Sequence, residues 1–326
     1  MSGRVTLADV ARAAEVDVSL VSRVVRGEDV KVRAETRERI LEQVRILGYR
    51  PNAIARSLKS ARAGAFGLVI PNFENPVYAQ IIAGAETAAA RLGSVMMTTS
   101  GGGWDDAAWY EALDGGRVDG LLIAGGAGVD LERLRVPYLL INRKIPGIDR
   151  FVVLDDEGAA RMAVEHLVGL GHRDFAFVGG PTDADTASRR QAGFEQAVAD
   201  GRGRRRVLPG DYTPAGGRAA VAAALARSTP PTAIVAANLP SGIGALEALR
   251  DAGVEVPTDV SVVAIHDAEI AEFMVPKLTT VRMPLHQLGA RAVTLLAEHG
   301  SSDTVTDVVD APITLVVRES TGPAAH

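Results

Sequence analysis

The chain has 326 residues and no cysteine. Disulfide bridges and cysteine-ligated metal sites are therefore excluded. The sequence also lacks any apolar run long enough to span a membrane, so we expect no transmembrane helix and no membrane partner. The first ten residues, MSGRVTLADV, lack the apolar segment of a signal peptide. These absences predict a soluble, cytoplasmic protein.

Motifs for catalysis and nucleotide binding are missing as well. The glycine-rich segments at 100–104 and 125–130 have neither the GxGxxG spacing nor the lysine of a phosphate-binding loop. We find no GxSxG elbow, no HExxH pair and no paired carboxylates in a catalytic context. The sequence therefore predicts a protein that is not an enzyme and that has no cofactor and no metal site.

Charge is distributed unevenly along the chain. Residues 1–62 contain 13 basic and 8 acidic residues, a net charge of +5, whereas the remaining residues contain 22 basic and 32 acidic residues, a net charge of −10. Because clustered positive charge is what phosphate binding requires, this basic head on an acidic body is typical of a nucleic-acid-binding protein with a second, separate function.

Helical periodicity divides the basic head into three helices. Thr6 is placed to cap the first, with Asp9 three residues later, and Asp17 is placed to cap the second. About two residues separate these helices, which indicates a helix-turn-helix. A third helix is predicted over 34–47, with Gly48 ending it.

Four segments of the head carry a family resemblance. They read DVA at 9–11, VSRVV at 21–25, TRERI at 36–40 and GYRPNA at 48–53. In this order they resemble the DNA-binding head of the lactose repressor (LacI/GalR) family. Two positions depart from the family pattern: Glu15 stands where a turn glycine is usual, and Arg33 stands where a capping serine is usual.

The resemblance implies that the second helix enters the major groove of operator DNA. Val18, Ser19 and Arg23 are then expected to meet base edges, and Arg23 can contact a guanine through two hydrogen bonds. Residues 51–62 resemble the hinge of the family, a helix that is short enough to need DNA in order to fold, and Leu58 takes the position that wedges into the minor groove. The expected DNA contacts are Thr6, Val18, Ser19, Ser22, Arg23, Arg26, Asn52, Ala55 and Leu58.

From residue 63 onward, short apolar runs alternate with helical patterns. This alternation predicts an α/β body with doubly wound, mainly parallel sheets. The predicted strands are 66–70, 95–99, 120–123, 138–141, 151–154, 175–178, 233–236 and 261–265, and the predicted helices include 79–92, 158–170 and 188–199. The arginine-rich run at 202–206 is interpreted as a solvated loop.

The body also resembles the sensor of the same family, which shares its two-lobed fold with periplasmic sugar-binding proteins. The matching segments include IPNFENPVYAQI at 70–81, HLVGLGHRDFAFVGGP at 166–181 and SVVAIHD at 261–267. The implied domains are a helix-turn-helix head at 1–50, a hinge at 51–62 and an effector-binding and dimerisation domain at 63–326. The implied effector contacts are Asn75, Tyr78, Asn142, Asp155, Arg190, Tyr212, Asn238 and His266.

His266 departs from the family, which usually has an aspartate at this position. A neutral histidine accepts through one ring nitrogen only, so a ligand that carries a carboxylate or a phosphate becomes an alternative to a neutral sugar. We expect a homodimeric repressor of a pseudo-palindromic operator, controlled by a sugar or a related metabolite. The alternatives are an activator of the same family or, with less support, a solute-binding protein.

Overall fold

A computed structural model describes residues 5–25, 27–49, 62–101, 113–125, 131, 134–226, 230–301 and 303–324. The chain forms two compact units, Met1–Ala63 and Gly64–His326. The predicted hinge lies outside the described residues except for Arg62. The division into head, hinge and body therefore stays a prediction at its finer boundaries.

Three helices build the head. They are α1 (Leu7–Ala13), α2 (Val18–Val25) and α3 (Ala34–Ile46). Thr6 and Asp9 form a reciprocal capping box at the start of α1, and the hydrogen bond from the Thr6 side chain lowers the pKa of Asp9. Asp17 accepts a hydrogen bond from the Ser19 amide at 2.7 Å, as expected of a cap. The helices enclose a small core of Val10, Ala11, Ala14, Val21, Val24 and Ile40.

Both departures from the family pattern have visible consequences. Glu15 takes a φ of 50° in the turn between α1 and α2, a left-handed conformation that favours glycine. Arg33 precedes α3 without making a side-chain cap. At the other end of α3, Gly48 takes a φ of 64° and its amide bonds to the Arg45 carbonyl, which closes the helix as predicted.

Two parallel-sheet layers with surrounding helices build the body. The strands are β1 (Ala65–Ile70), β2 (Val95–Ser100), β3 (Leu121–Ile123), β4 (Tyr138–Ile141), β5 (Arg150–Val153), β6 (Asp174–Val178), β7 (Arg204–Leu208), β8 (Ala233–Ala236), β9 (Ser261–Ile265), β10 (Thr279–Arg282), β11 (Val305–Val308) and β12 (Thr314–Val316). The helices are α4 (Val77–Arg91), α5 (Asp156–Gly169), α6 (Asp185–Asp200), α7 (Pro214–Leu225), α8 (Leu239–Asp251) and α9 (Leu285–Glu298).

Each sheet defines one lobe. Lobe one has the strand order β11-β5-β4-β3-β1-β2 and packs against α4 and α9, whereas lobe two has the order β12-β10-β9-β8-β6-β7 and carries α5 to α8. All neighbouring strands are parallel except β10 and β12. The chain enters lobe two after β5, returns to lobe one through α9 and β11, and enters lobe two again at β12. The predicted α/β architecture is thus confirmed.

One prediction about the body is wrong. The arginine-rich run was expected to be a loop, but residues 204–208 form β7, which pairs in parallel with β6 at the edge of lobe two. Asp174 on β6 neutralises two arginines of β7, since its carboxylate accepts hydrogen bonds from Arg204 and Arg206. Cross-strand pairing with β6 therefore decides the structure of this polar segment.

Within the described residues, no helix is long and apolar enough to cross a membrane.

Candidate functional site

The exposed face of α2 presents the residues predicted to read DNA. Val21 and Val24 are buried in the head core, whereas Val18, Ser19 and Arg23 are exposed on the opposite side of the helix. Val18 is 43% exposed, although valine side chains are more often buried. A short apolar side chain held at the start of an exposed helix is suited to contact with a thymine methyl group.

Arg23 already has a partner within the head. Its Nε lies 3.3 Å from the Glu28 carboxylate, and both side chains remain about half exposed. Arg37 donates to the Glu28 backbone carbonyl at 3.2 Å and so fixes the segment that carries this acid. Because an exposed pair of this kind contributes little stability, Arg23 can exchange Glu28 for a base or a phosphate.

The other predicted DNA contacts are less completely placed. Thr6 is exposed, and its hydroxyl is engaged in the capping box, while Ser22 is half-buried on α2. The remaining four predicted contacts lie outside the described residues, namely Arg26, Asn52, Ala55 and Leu58.

Hydrogen bonds between the lobes show which ends of the sheets face each other. Gln80 at the start of α4 donates to the Asp267 carbonyl, which follows β9, at 2.7 Å. The Lys144 amide, which follows β4, donates to the Asp185 carboxylate at the start of α6 at 3.0 Å. The carboxyl ends of the two sheets therefore meet, and this is where open parallel sheets bind ligands. We call this region the interlobe site.

Arg190 is the centre of the interlobe site. It is only 2% exposed, and its Nε donates to Asp156 at 2.6 Å. One terminal nitrogen donates to the Ala237 carbonyl at 2.8 Å, and the other lies 3.0 Å from Nε2 of His266. Burial favours loss of the charge, but the carboxylate of Asp156 prevails and raises the pKa of Arg190. The guanidinium is thus a fixed cation.

Two tyrosines flank this cation. The Arg190 guanidinium lies 5.7 Å from the centre of the Tyr212 ring, and the Tyr212 hydroxyl is 3.1 Å from that of Thr186. Tyr78 comes from lobe one, and its burial raises its pKa to about 12 despite the opposing field of Arg190. Both phenols stay neutral, so they combine a flat apolar face with a hydroxyl group.

Backbone strain concentrates at the interlobe site. Asn142, Tyr212 and His266 have φ angles of 56°, 68° and 72°, in the left-handed region that non-glycine residues rarely adopt. Asn142 follows β4 directly, and His266 follows β9 directly. Such strain persists where the surrounding structure fixes the residue, and it is often associated with a functional position.

Three further predicted residues have structural roles that the geometry makes plain. Asn238 caps α8 through the Ser241 amide and donates to the Tyr212 carbonyl at 2.9 Å, so it holds Tyr212 in place. Asn75 accepts from the Val77 amide at the start of α4. Asp155 is exposed and caps α5 through the Gly158 amide.

The sequence reasoning missed Asp156. This neighbour of Asp155 is buried and binds both Arg189 and Arg190, so it fixes the charge of the site. The pair Asp155–Asp156 stands where the chain crosses between lobes, and an acidic pair at the start of a helix was the available signal. His166 and His172 bond to Thr321 and Ser261, as structural residues do.

Comparison with known proteins agrees with this geometry. Residues 6–52 match the family described as bacterial regulatory proteins, lacI family, and residues 164–321 match the periplasmic binding protein-like domain. The chain is 36% identical to the HTH-type transcriptional regulator MalR of Streptomyces coelicolor, over 98% of this chain and 97% of that protein.

The chain belongs to the LacI family. Its structure resembles the Lac repressor dimer bound to operator and the anti-inducer ONPF, with a TM-score of 0.85, 28% identity and coverage of 98% of this chain and 100% of the other. It also resembles the complex of the transcriptional regulator CelR with cellobiose, with a TM-score of 0.74, 31% identity and coverage of 97% and 100%.

Membership of the LacI family fixes the general role of the chain and confirms the resemblance drawn from its motifs. The chain is a DNA-binding transcriptional regulator with a helix-turn-helix head and a two-lobed body. The assignment of individual contacts to DNA or to an effector stays a prediction, since family membership alone does not identify the atoms that bind.

Proposed function

We propose that this LacI-family chain is a homodimeric repressor that binds a pseudo-palindromic operator and responds to a small molecule in its interlobe site. The proposal takes its general form from the Lac repressor dimer on its operator and from the CelR–cellobiose complex. The protein acts by binding rather than by catalysis, and it acts in the cytoplasm, where operator DNA is accessible.

The observation that carries the proposal is the fixed cation of the interlobe site. Arg190 is buried, charged and held by Asp156, with strained residues at the carboxyl ends of both sheets around it. A buried arginine with its donors fixed in advance is suited to hydroxyl or carboxylate oxygens, because its planar fork loses little freedom on binding. A few convergent polar groups beside aromatic side chains are typical of a ligand-binding site, which supports the proposal.

A ligand at this position touches both lobes and therefore shifts their relative arrangement. Gln80–Asp267 and Lys144–Asp185 are the hydrogen bonds between lobes that such a shift would lengthen or strengthen. Coupling between an effector and DNA is typically worth about 1–3 kcal/mol, and it is reciprocal between the two sites. We expect the effector to change operator affinity by about 5- to 150-fold.

The DNA-binding half of the proposal is tested by selecting operators from a random duplex library with the full-length protein. We expect an inverted repeat, as two-fold symmetry of the dimer requires. Arg23→Ala should weaken binding by about 5- to 150-fold and relax the preference at one base pair in each half-site.

The matched control is Arg45→Ala, which removes an equal charge from the last turn of α3, where Arg45 pairs with Glu42. Its effect should be smaller and the same for every sequence, because it changes only the general attraction to phosphate. Equal losses for the two variants, with unchanged base preference, would exclude Arg23 as a base-reading residue.

The effector half is tested by following thermal unfolding of the full-length protein against a panel of sugars and sugar derivatives. A ligand of the native state raises the melting temperature in proportion to its occupancy. Arg190→Met should abolish the shift, whereas Arg291→Met, which removes an exposed arginine paired with Asp307, should preserve it. A shift that survives in Arg190→Met would place the effector elsewhere.

A further inference from the structure

Several buried polar atoms at the interlobe site have no hydrogen-bond partner in the described part of the protein, and two of them belong to the strained residues at its strand ends. Oδ1 of Asn142 lies in lobe one, and Nδ1 of His266 lies in lobe two. Their side chains belong to residues that are only 9% and 3% exposed. Asn142 follows β4 and His266 follows β9, each at the carboxyl end of its sheet, so one residue comes from each lobe. Buried polar atoms are normally paired, and a bound ligand can supply the missing partners.

The hydrogen bond from Arg190 decides the chemistry of His266. A guanidinium group has only donors, so the ring nitrogen that lies 3.0 Å from it must accept. Nε2 therefore carries the lone pair, and the ring hydrogen is on Nδ1. Protonation of Nε2 would place two donors and two positive charges against each other. Burial and the field of Arg190 accordingly hold the pKa of His266 well below its ordinary value.

The unpartnered atom of His266 is thus a hydrogen-bond donor. The aspartate that the family resemblance leads us to expect at this position would be an acceptor and would take hydrogens from ligand hydroxyls. In this chain the polarity of the position is reversed. Whatever binds here must bring an oxygen with a free lone pair to Nδ1 and, across the site, a hydrogen to the Asn142 amide oxygen.

The unused donors of the site favour a ligand oxygen that is anionic, although Asp156 and Asp185 together balance the charges of Arg189 and Arg190. Both oxygens of Asp156 are engaged, one by Arg190 and the other by Arg189. Arg190 uses three of its five N–H groups on Asp156, Ala237 and His266, which leaves donors for a ligand. A carboxylate accepts several such hydrogen bonds at once, and charge-assisted bonds are about twice as strong as neutral ones.

We propose that the effector is a polyhydroxylated carboxylic acid, such as a sugar acid, whose carboxylate accepts hydrogen bonds from Nδ1 of His266 and from Arg190. A hydroxyl group of the same molecule donates to Oδ1 of Asn142. This inference rests on the proposed function, because it specifies the ligand of the same interlobe site. His266 is then the residue that selects an acid over the corresponding neutral sugar.

The test compares matched pairs by calorimetry with the full-length protein: gluconate with glucose, glucuronate with glucose, and galacturonate with galactose. We expect at least one acid to bind at least about tenfold more tightly than its neutral counterpart, the size expected for a charge-assisted hydrogen bond in a buried site. Binding of neutral sugars alone, or of sugar phosphates alone, would overturn the inference.

His266→Asp should reverse the preference. The acid should lose affinity at least about tenfold because two carboxylates would then face each other, and the neutral sugar should gain affinity. The control is His286→Asp, the same substitution at an exposed position on α9, which should leave the preference unchanged. If the preference in His266→Asp equals that of the wild type, His266 does not select the ligand.

A spectroscopic measurement keeps the inference falsifiable if His266→Asp fails to fold. The nitrogen chemical shifts of the His266 ring, assigned by their loss in His266→Asn, should report a hydrogen on Nδ1 and a lone pair on Nε2. The opposite tautomer, or a protonated ring at neutral pH, would overturn the proposal.

Operator binding separates this inference from the proposed function. Release of a selected operator by a neutral sugar would leave the regulator in place and exclude the acid. Acid binding by a protein that selects no operator would support the ligand inference and exclude the proposed repressor function.

Discussion

Asp156→Asn removes a charge that the buried guanidinium group of Arg190 shares with the partly buried one of Arg189. The aspartate is 1% exposed, and it binds Arg190 through one oxygen and Arg189 through the other. An asparagine keeps the shape but leaves Arg190 without a carboxylate, whereas Arg189 keeps its ion pair with Asp185. Removing one partner of a buried ion pair destabilises a protein by about 3–5 kcal/mol, because the remaining charge is left uncompensated. We expect a loss of that size in the free energy of unfolding of the body.

Urea unfolding of the full-length protein, followed by far-ultraviolet circular dichroism, measures this loss. The midpoint of the main transition should fall by about 1 M or more. Asp155→Asn is the matched control, since Asp155 is exposed and asparagine caps a helix about as well as aspartate does, so the change should stay within about 1 kcal/mol. Asp156→Asn combined with Arg190→Met should be less harmful than Asp156→Asn alone. Equal midpoints for the two asparagine variants would refute the reasoning.

Three further predictions concern pH, DNA affinity and helix packing. Burial lowers the pKa of His172 and His266, so the unfolded chain binds more protons than the folded protein does. The resulting contribution to the free energy of unfolding is complete above about pH 6.5 and is lost as the pH falls below that value. A urea midpoint that stays flat or rises on acidification would contradict this prediction. Glu28→Gln frees Arg23 and removes a negative charge near DNA, so operator affinity measured by fluorescence anisotropy should rise about two- to fivefold. An unchanged affinity would show that the Arg23–Glu28 ion pair does not compete with DNA. Gly84→Ala would drive a Cβ into the backbone of α9 and should cost about 1–3 kcal/mol in urea unfolding. Gly169→Ala, which meets open space, should be neutral or stabilising, and equal effects would contradict the close approach.

Features set by neighbouring residues could be predicted well. The capping box of Thr6 and Asp9 and the end of α3 at Gly48 follow from local hydrogen bonding and from the conformational freedom of glycine. The apolar strands of the body agree with their predicted positions within one or two residues. β7 could not be predicted, because an arginine-rich strand forms only where β6 provides the pairing edge and Asp174 the charge.

The candidate site shows the same division at the level of single residues. Asp155 and Asp156 are adjacent and chemically alike, and only the direction in which α5 leaves the crossover buries one and exposes the other. Sequence resemblance selected the exposed residue, whereas the ion pair with Arg190 involves its neighbour. A difference of one position at a helix start rotates a side chain by roughly 100°, which no sequence pattern resolves here.

By itself the sequence determined the family, the helix-turn-helix head and the alternating α/β body, because periodicity, caps and motif order are properties of the chain. Only the tertiary structure decided the chemistry of the interlobe site. Asp156, Arg190 and His266 are far apart in sequence and meet where the carboxyl ends of the two sheets face each other. The contact between a donor-only guanidinium and one ring nitrogen of His266 fixes where the histidine hydrogen resides. That contact makes the position a donor, and it is the physical reason to expect an acidic ligand.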